Sequence, residues 1–378
     1  MASEKTHTAI NYVILISIPI AIFIAIITGD ALTWTFESGI TDILDHYLNF
    51  EKVWIAILTG VNPYTNPSFA CPYPIGFLAF SGLFHFYKLL PKIFFCLIWL
   101  LTAYVINRIC KEYNITDKST ILFCVFFIIL NPMYLSTTML QGWYDGIVGL
   151  SILLAVYAID HSKQIKSGIY AALAFLFKFI GLIVLFPIVF VKKKINWRTG
   201  ITAASICGGL YLFAYLLWGN SAFYPFWLHL FRDPEGASIF VIIYDIFGID
   251  LSKYIIYLLI IGVFIVIGFL YFQNNDISTY SLIIIILFIL ILPVFWGQYM
   301  LWFIPLAIYW SITHNYALKG TFSLYLCALI LLLHFYYVTS IFTIITYILS
   351  LVFVLLVYLN RNKDELNEQQ PDNLDEDN

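Results

Sequence analysis

Long apolar runs separated by short polar or charged breaks make up most of the chain. Crossing the hydrocarbon core of a bilayer takes about 20 apolar residues in a helix. Taking the apolar runs between breaks as helices predicts segments near 10–28, 91–107, 119–138, 145–160, 167–177, 179–191, 200–218, 254–272, 279–294, 299–312, 320–337 and 341–359. The pattern predicts an all-α, polytopic transmembrane helical bundle with roughly 11–13 membrane helices.

The run from Gly168 to Val191 is better explained by two short helices than by one span. Lys178 and Gly181 interrupt it, and basic residues flank both ends. A hairpin that enters from one side leaves both flanks in the cytoplasm, as the positive-inside rule favours. With the N-terminus inside, 13 of the 19 basic residues then fall in cytoplasmic segments and five in outer ones. We therefore predict this hairpin, cytoplasmic termini and a plasma-membrane location.

Composition agrees with a membrane protein and narrows its class. The chain has 378 residues, of which 62% are hydrophobic and 11% charged, whereas soluble domains are about 25% charged. The net charge of −3 divides into −5 for residues 360–378 and +2 for residues 1–359. Without a basic surplus to neutralise phosphates, a nucleic-acid partner is excluded. We predict one membrane domain over 1–359 and a disordered, acidic cytoplasmic tail over 360–378.

Two further patterns concern the start of the chain and its cysteines. The first apolar run is longer than the core of a signal peptide and is followed by no clear small-residue cleavage site, so we expect a retained anchor. The six cysteines are scattered and form no CxxC pair. They predict neither a disulfide framework nor a metal site.

The predicted topology gathers the polar chemistry on the non-cytoplasmic side. Four segments face that side: a long first loop at about 29–90, the QGWYD turn at 141–145, a loop near 219–252 and the WGQY turn at 296–299. The cytoplasmic connections are short and basic. This asymmetry predicts a functional site on the outer face.

The first outer loop begins with a predicted amphipathic helix from Thr41 to Thr59, whose apolar residues recur at i, i+3 and i+4. Asp42 and Asp45 share its polar stripe. Thr41 as an N-cap, with Asp42 complementing the helix dipole, is an alternative explanation for Asp42. Asp45 lies a turn further in, where that argument fades, so we favour a functional role for it. Gly60 is expected to end the helix.

After a proline-rich stretch, residues 75–87 form an apolar run too short to span, which we interpret as interfacial or re-entrant.

Three charged residues lie in or beside predicted apolar helices or aromatic segments, where leaving a charge unpaired costs free energy. Lys178 lies within the membrane, and its alternative explanation is snorkelling to an interface. Asp145 opens a helix on the outer side, where it either caps the helix or contacts a sugar hydroxyl or a cation such as Lys178. Arg232 is the only outer-loop arginine, and arginine suits phosphate contact; a surface salt bridge is its alternative.

Two polar side chains near aromatic residues are the last candidate site residues that the sequence pattern itself suggests. His229 lies three positions before Arg232, although an interfacial histidine beside Trp227 explains it equally well. Gln298 precedes Tyr299 in the WGQY turn. Aromatic-belt anchoring accounts for the tyrosine but less readily for the glutamine. Phosphate-binding glycine loops and Ser-His-Asp patterns are absent, so no cytosolic nucleotide substrate is evident.

Four motifs in order carry a family resemblance. They are DILDHYLNFEKVWIAILTGVNPY followed by PYPIGF; QGWYDGIVGL with KSGIYAALAFLFKFIGL; WLHLFRDPEGAS; and WGQYMLWFIPL. Together they resemble the integral-membrane GT-C glycosyltransferases, nearest to family 87 and the mannosyltransferases of glycosylphosphatidylinositol anchor synthesis. Those enzymes carry an acidic residue before a Tyr or Phe and then a G-x-(N/S)-P-Y element. Where the anchor enzymes have Asp-x-Asp, this chain has two residues between Asp42 and Asp45, so their division of labour stays open.

The resemblance implies a sugar donor linked to polyprenyl or dolichyl phosphate, with mannose the family's commonest sugar, and a lipid-linked, glycolipid or cell-envelope glycan acceptor. Asp45 or Asp42 would be the catalytic base, and Arg232 and Lys178 the phosphate-binding cations. The substrate-binding candidates are Asp145, Gln141, Tyr64, His229, Gln298 and Tyr299. One base with a phosphate clamp implies inversion at the anomeric carbon. A divalent cation could bridge the two aspartates and the phosphate, but because hard cations usually need more oxygen ligands, no metal is predicted.

Two other classes share the polytopic composition. A transporter or lipid flippase would show internal repeats and a midplane site open to both sides, and we find no convincing repeat. A non-catalytic scaffold subunit of the same fold would retain its function after replacement of Asp45. We favour the glycosyltransferase.

Overall fold

The fold is that of a computed structural model, which describes residues 2–37, 45–66, 70–87, 89–131, 134, 138, 144–191, 194–230, 233, 235–236, 238–251, 254, 262, 276–292, 294–295, 297–314 and 340–368. Most of these residues are helical. The α-helices are α1 (Ala2–Glu37), α2 (Asp45–Leu58), α3 (Ile75–Ser81), α4 (Leu83–Phe86), α5 (Leu90–Glu112), α6 (Lys118–Ile129), α7 (Asp145–Asp160), α8 (Gln164–Phe177), α9 (Ile180–Val189), α10 (Trp197–Trp218), α11 (Tyr224–Leu230), α12 (Ile239–Phe247), α13 (Ile277–Ile291), α14 (Ile304–Thr313) and α15 (Ser340–Glu368).

Short extended segments and 3₁₀ turns connect these helices. Strands β1 (Phe190–Val191) and β2 (Lys194–Ile195) pair antiparallel, and β3 (Glu235–Gly236) pairs parallel with β4 (Val294–Phe295). The 3₁₀ turns cover Gly219–Phe223 and Gly297–Trp302. Pairing of β3 with β4 joins the segment after α11 to the segment before the WGQY turn, which are two of the segments predicted to share the outer face.

In the part of the chain that the structure describes, three helical stretches are long and apolar enough to cross a membrane. They cover Glu4–Ile27, Leu90–Glu112 and Trp197–His229, and several shorter apolar helices pack beside them. The predicted all-α membrane bundle is confirmed. The number of crossings stays a prediction, and the segments predicted at 254–272 and 320–337 lie largely or wholly outside the described residues.

The hairpin predicted for the Gly168–Val191 run is present as α8 and α9. Its two open ends lie together, because Asn196, the residue just before α10, contacts both of them. The Asn196 Nδ2 donates to Ile188 O at 2.9 Å, and Gln164 Nε2 donates to Asn196 Oδ1 at 3.3 Å. Gln164 begins α8 and Ile188 lies in the last turn of α9, so both helices enter the bundle from the same end and Lys178 lies at the tip.

Helix α1 continues to Glu37, so the prediction that the first outer loop begins near residue 29 was wrong for residues 29–37, which are helical. From α2 onward the first outer segment agrees with its sequence pattern where it is described. Helix α2 ends at Leu58, and Gly60 has a positive φ of 70°, a left-handed conformation that glycine adopts at helix ends without steric cost. The apolar run after the prolines forms the short helices α3 and α4. A Cβ at Gly76 would lie 2.5 Å from the carbonyl oxygen of Leu176, so α3 packs directly on the end of α8.

Polar contacts fix the bundle at the opposite end. Tyr309 donates to Asp160 Oδ2 at 2.7 Å and lies 3.1 Å from the Tyr113 hydroxyl, which connects the ends of α14, α7 and α5. Beside them, His314 Nε2 lies 3.3 Å from Asp276 Oδ2. Because Asp145 begins α7 and Asp160 ends it, this polar cluster is a full helix length from the predicted site.

The C-terminal helix is longer than the sequence pattern indicates. Helix α15 continues to Glu368, nine residues into the segment predicted to be disordered. Extending an established helix by one residue forms one hydrogen bond for each residue fixed, so a polar sequence can continue an apolar span. Residues 369–378 lie outside the described part, and the domain boundary at 359–360 stays a prediction.

Candidate active site

Lys178 lies at a two-residue break between α8 and α9. Its φ of −147° and ψ of 137° are extended, while its backbone N–H still donates to Ala174 O at 2.9 Å and its carbonyl accepts from Gly181 N at 3.1 Å. A Cβ at Gly181 would collide with the backbone of Phe175, so the chain can turn back this tightly only with glycine there. The tight turn directs the lysine side chain into the bundle, where it is 11% exposed.

Asp145 is the carboxylate that faces this lysine. Its side chain is fully buried, and its Oδ1 lies 3.9 Å from Lys178 Nζ. At that distance the attraction is Coulombic rather than a hydrogen bond. The indole N–H of Trp302 donates to the same oxygen at 2.6 Å. Tyr144, not Asp145, occupies the N-cap position of α7 and makes no side-chain capping bond, so the structure favours the cation contact over capping.

Four aromatic rings surround the lysine ammonium. Its Nζ lies 4.9 Å from the ring centroid of Tyr144, 5.5 Å from that of Tyr299, and 5.9 Å from those of Tyr73 and Trp302. These distances are within the roughly 6 Å range of cation–π attraction. We call Lys178, Asp145 and the four rings the lysine cage. Four ring faces and one carboxylate therefore take the place of water around the ammonium.

The walls of the cage are held by close backbone contacts. A Cβ at Gly149 would overlap the carbonyl oxygen of Leu301, so α7 touches the 3₁₀ turn that carries Tyr299 and Trp302. The rings of Tyr299 and Trp302 stack at 4.2 Å with an interplanar angle of 20°. This contact fixes the position of the indole N–H relative to Asp145.

Two atoms of the cage have no hydrogen-bond partner among the described residues. They are Asp145 Oδ2 and the Tyr144 hydroxyl, and both side chains are almost completely buried. A buried polar atom without a partner costs about 1–3 kcal/mol. Such atoms are candidates for contact with a bound polar molecule.

His229 lies in the layer next to the cage. Its Nε2 is 2.9 Å from Pro72 O, and its ring meets Phe179 edge-to-face at 5.7 Å. A carbonyl can only accept, so this contact assigns the proton to Nε2. The residue therefore joins α11 both to the PYP element and to the hairpin tip.

Tyr64 is packed between the first outer segment and α10. Its ring lies edge-to-face on Trp218 at 5.7 Å, and its hydroxyl has no hydrogen-bond partner among the described residues. The preceding Asn62 fixes this position by donating to Ser221 Oγ at 2.6 Å. Burial, followed by the proximity of Cys71, raises the pKa of Tyr64, which therefore stays protonated.

The other predicted site residues are described in part or not at all. Asp42, Gln141 and Arg232 lie outside the described residues. Asp45 begins α2, and Gln298 lies in the 3₁₀ turn before Trp302, but their side chains are outside the described part. Of the predicted set, the structure therefore brings together Lys178, Asp145 and Tyr299.

The structure also bears on metal binding. Among the described residues, no group of three or more His, Cys, Asp or Glu side chains is arranged to hold a metal ion. The chemistry available in the described site is that of one cation, one carboxylate and aromatic faces.

Comparison with known protein families shows to which class of protein the chain belongs. The family model described as Glycosyltransferase family 87 matches residues 71–293, more than half of the chain. The chain belongs to glycosyltransferase family 87. It is a membrane protein of a family of transferases that need a sugar donor and an acceptor. A search of curated protein sequences finds no match.

The family 87 match includes the hairpin tip and most of the lysine cage. Lys178, Asp145, Tyr144 and Tyr73 lie inside the matched range, whereas the predicted base Asp45 precedes it. Tyr299 and Trp302 lie beyond it, although they contact matched residues in space. The resemblance to family 87 is confirmed; the likeness to the anchor mannosyltransferases and the lipid carrier are not tested by the match.

Three residues of the cage were not among the predicted site residues. The sequence alone does not distinguish Tyr73, Tyr144 and Trp302 from the other aromatic residues, which suit interfacial belts and packing. Each lies in a motif that also holds a predicted residue or carries the resemblance: PYPIGF, QGWYD and WGQYMLW. The sequence signal that could have identified these three residues is their position within those motifs.

Proposed function

We propose that this family 87 protein transfers a hexose from a polyprenyl- or dolichyl-phosphate carrier to a lipid-linked, glycolipid or cell-envelope acceptor on the non-cytoplasmic face. The observation that supports it best is the lysine cage, in which Lys178 and Asp145 lie within the segment that matches the family. A phosphate leaving group needs a fixed positive charge rather than an acid, and the hairpin tip supplies one.

The depth of the hairpin fits a donor in the outer leaflet. Helix α8 has 14 residues, so at about 1.5 Å per residue it is about 21 Å long. The hydrocarbon core is about 30 Å thick. A hairpin that enters from the cytoplasmic side would therefore present Lys178 in the outer part of the core, near the phosphates of that leaflet.

The proposed reaction is a single displacement. The acceptor hydroxyl oxygen attacks the anomeric carbon while a carboxylate, Asp45 or Asp42, takes the hydroxyl proton. The bond between the anomeric carbon and the phosphate oxygen breaks, and its electron pair leaves with the lipid phosphate, which Lys178 and Arg232 stabilise. Attack opposite the leaving group inverts the anomeric configuration.

The remaining candidates contact the sugar and the acceptor in this proposal. The unpartnered Asp145 Oδ2 and Tyr144 hydroxyl can bond to sugar hydroxyl groups, and the ring of Tyr299 offers a face to pack on. Tyr64, His229, Gln141 and Gln298 are proposed as further substrate contacts.

The test is sugar transfer by purified protein in detergent, from a panel of radiolabelled polyprenyl-phosphate sugars to membrane acceptor lipids. We expect wild type to transfer sugar and Asp45→Asn to lose activity by several orders of magnitude. Asp245→Asn is the matched control, because Asp245 is an exposed carboxylate in α12. Loss in Asp42→Asn alone would assign the base to Asp42.

Other results would favour the rival classes. No transfer from any donor by folded wild-type protein would reject the proposed reaction. Full function in cells with both aspartates replaced would favour the scaffold, whereas uptake or flipping of the donor lipid by reconstituted protein without transfer would favour a transporter.

A further inference from the structure

A basic cavity lies at the opposite end of the bundle from the lysine cage. Its volume is about 260 Å³, and it lies between the turn that joins α7 to α8 and the first turn of α10. It is lined by Ser162, Lys163, Gln164, Ile165, Lys166 and Arg198. Three of these residues are cations and none is acidic.

Contacts between α8 and α10 fix the backbone around the cavity. Gln164, in its wall, donates to Asn196 Oδ1 at 3.3 Å, and its carbonyl accepts from Thr199 Oγ1 at 3.1 Å. A Cβ at Gly168 would lie 2.6 Å from Thr199 O, so α8 and α10 are in backbone contact beside it. These contacts fix the backbone that carries the two lysines at the start of α8 relative to the backbone that carries Arg198 at the start of α10.

Exposed apolar side chains surround this basic cavity. Ile165 is 56% exposed, Trp197 66% and Ile201 62%, and they lie on the same two helices. In a membrane protein such side chains face the hydrocarbon, and tryptophan favours the boundary with the headgroups. The cavity therefore opens at the level of lipid headgroups, on the side that the basic residues predict to be cytoplasmic.

The size of the cavity limits its occupant. Sites for drug-sized ligands and cofactors usually measure about 300–1,000 Å³, so a cavity of about 260 Å³ suits a headgroup better than a nucleotide sugar. Basic pockets between transmembrane helices on the cytoplasmic side suit anionic headgroups.

We propose that this cavity binds the phosphate of an anionic glycerophospholipid in the adjacent leaflet. Lys163, Lys166 and Arg198 contact the phosphate, and the neighbouring apolar side chains pack against the acyl chains. The inference is independent of the proposed transferase reaction, because the cavity lies at the other end of α8 from Lys178.

The test is native mass spectrometry of the full-length protein in detergent, titrated with phosphatidylglycerol and with phosphatidylcholine of the same acyl chains. Wild type is expected to bind one phosphatidylglycerol at least about tenfold more tightly than phosphatidylcholine. The triple variant Lys163→Gln, Lys166→Gln, Arg198→Gln should lose that preference. All three residues are exposed, and gel filtration checks that the variant is folded.

Two control variants make the result specific to this cavity. Arg108→Gln, Lys111→Gln, Lys118→Gln removes the same charge from exposed positions at the α5–α6 connection and should keep the preference. The charge-conserving variant Lys163→Arg, Lys166→Arg, Arg198→Lys should also keep it. Equal losses in the two glutamine variants would show general charge attraction and overturn the proposal.

Competition identifies the source of the phosphate. Short-chain, water-soluble dihexanoyl phosphatidylglycerol should displace the long-chain lipid, whereas inorganic phosphate at constant ionic strength should not. Displacement by inorganic phosphate at the same concentration would make this a site for free phosphate and overturn the lipid assignment. Failure of wild type to prefer phosphatidylglycerol would reject the proposal outright.

Discussion

Breaking the pair of Lys178 and Asp145 tests whether the lysine cage holds the bundle together in addition to the substrate role proposed for it. The variants are Lys178→Met, Asp145→Asn and the two combined. In the wild type the charged atoms are 3.9 Å apart, the carboxylate is fully buried and the lysine side chain is 11% exposed. Removing one partner of such a pair leaves an uncompensated buried charge.

The two single variants should differ in a defined order. Loss of one partner from a buried pair costs about 3–5 kcal/mol. In Lys178→Met the remaining carboxylate keeps one hydrogen bond, from Trp302 at 2.6 Å. We therefore expect the free energy of unfolding to fall by the full amount of about 3–5 kcal/mol. In Asp145→Asn the remaining ammonium keeps four ring faces within 5.9 Å. At about 0.5–2 kcal/mol for each cation–π contact, these faces should reduce the loss to about half.

Thermal unfolding in detergent, followed with a thiol-reactive dye, measures these differences. Cys71, Cys96, Cys110 and Cys124 are free and buried, so they become accessible to the dye on unfolding. The double variant has neither charge, and its loss should be smaller than the sum of the single losses by at least about 1 kcal/mol.

Additive losses in the double variant would refute the reasoning, because they would show that the two charges do not interact. An Asp145→Asn variant less stable than Lys178→Met would refute the compensating role of the rings.

Three further predictions use the same unfolding assay. Trp302→Phe keeps a ring but removes the indole donor to the buried carboxylate, so it should lower the free energy of unfolding by about 1.5–3 kcal/mol; an unchanged midpoint would contradict the bond. Gly149→Ala should abolish folding because its Cβ would overlap a backbone carbonyl, whereas Gly208→Ala, with no atom within 4 Å, should stabilise α10 by up to about 1 kcal/mol; equal effects would contradict the close contact. Burial raises the pKa of Asp276, but the hydrogen bond and charge of His314 hold it below the ordinary value, so its stabilisation should be present at neutral pH and lost below about pH 4. Asp276→Asn should remove that acid-dependent loss, and a wild-type midpoint that does not change between pH 6 and 3 would contradict it.

The sequence predicted those structural elements that depend on residues close to one another along the chain. The hairpin followed from Lys178, Gly181 and the basic flanks, and the end of α2 followed from Gly60. Each of these features depends on a charge, a glycine or a periodicity within a few residues. The same signals placed Asp145 at the start of a helix and offered Lys178 as its partner.

The aromatic part of the site could not be predicted because it depends on contacts between distant segments. Tyr73, Tyr144 and Trp302 come together through the packing of α3 and of the 3₁₀ turn against the hairpin and α7. The chain contains 27 tyrosines and 10 tryptophans, most of which suit the membrane interface equally well by composition. The close approach at Gly149 brings Leu301 onto α7 and so places the neighbouring Trp302 beside Asp145.

The position of Lys178 at the tip of a hairpin has a consequence for synthesis of the chain. The hairpin enters the membrane before Tyr299 and Trp302 have been made, more than 100 residues later. A lone ammonium in hydrocarbon is costly, but Asp145 already precedes it in the nascent chain. The carboxylate can therefore accompany the lysine during insertion, and the two later aromatic residues complete the cage only when the last helices assemble. The parts of the cage would therefore assemble in the order in which they occur along the chain.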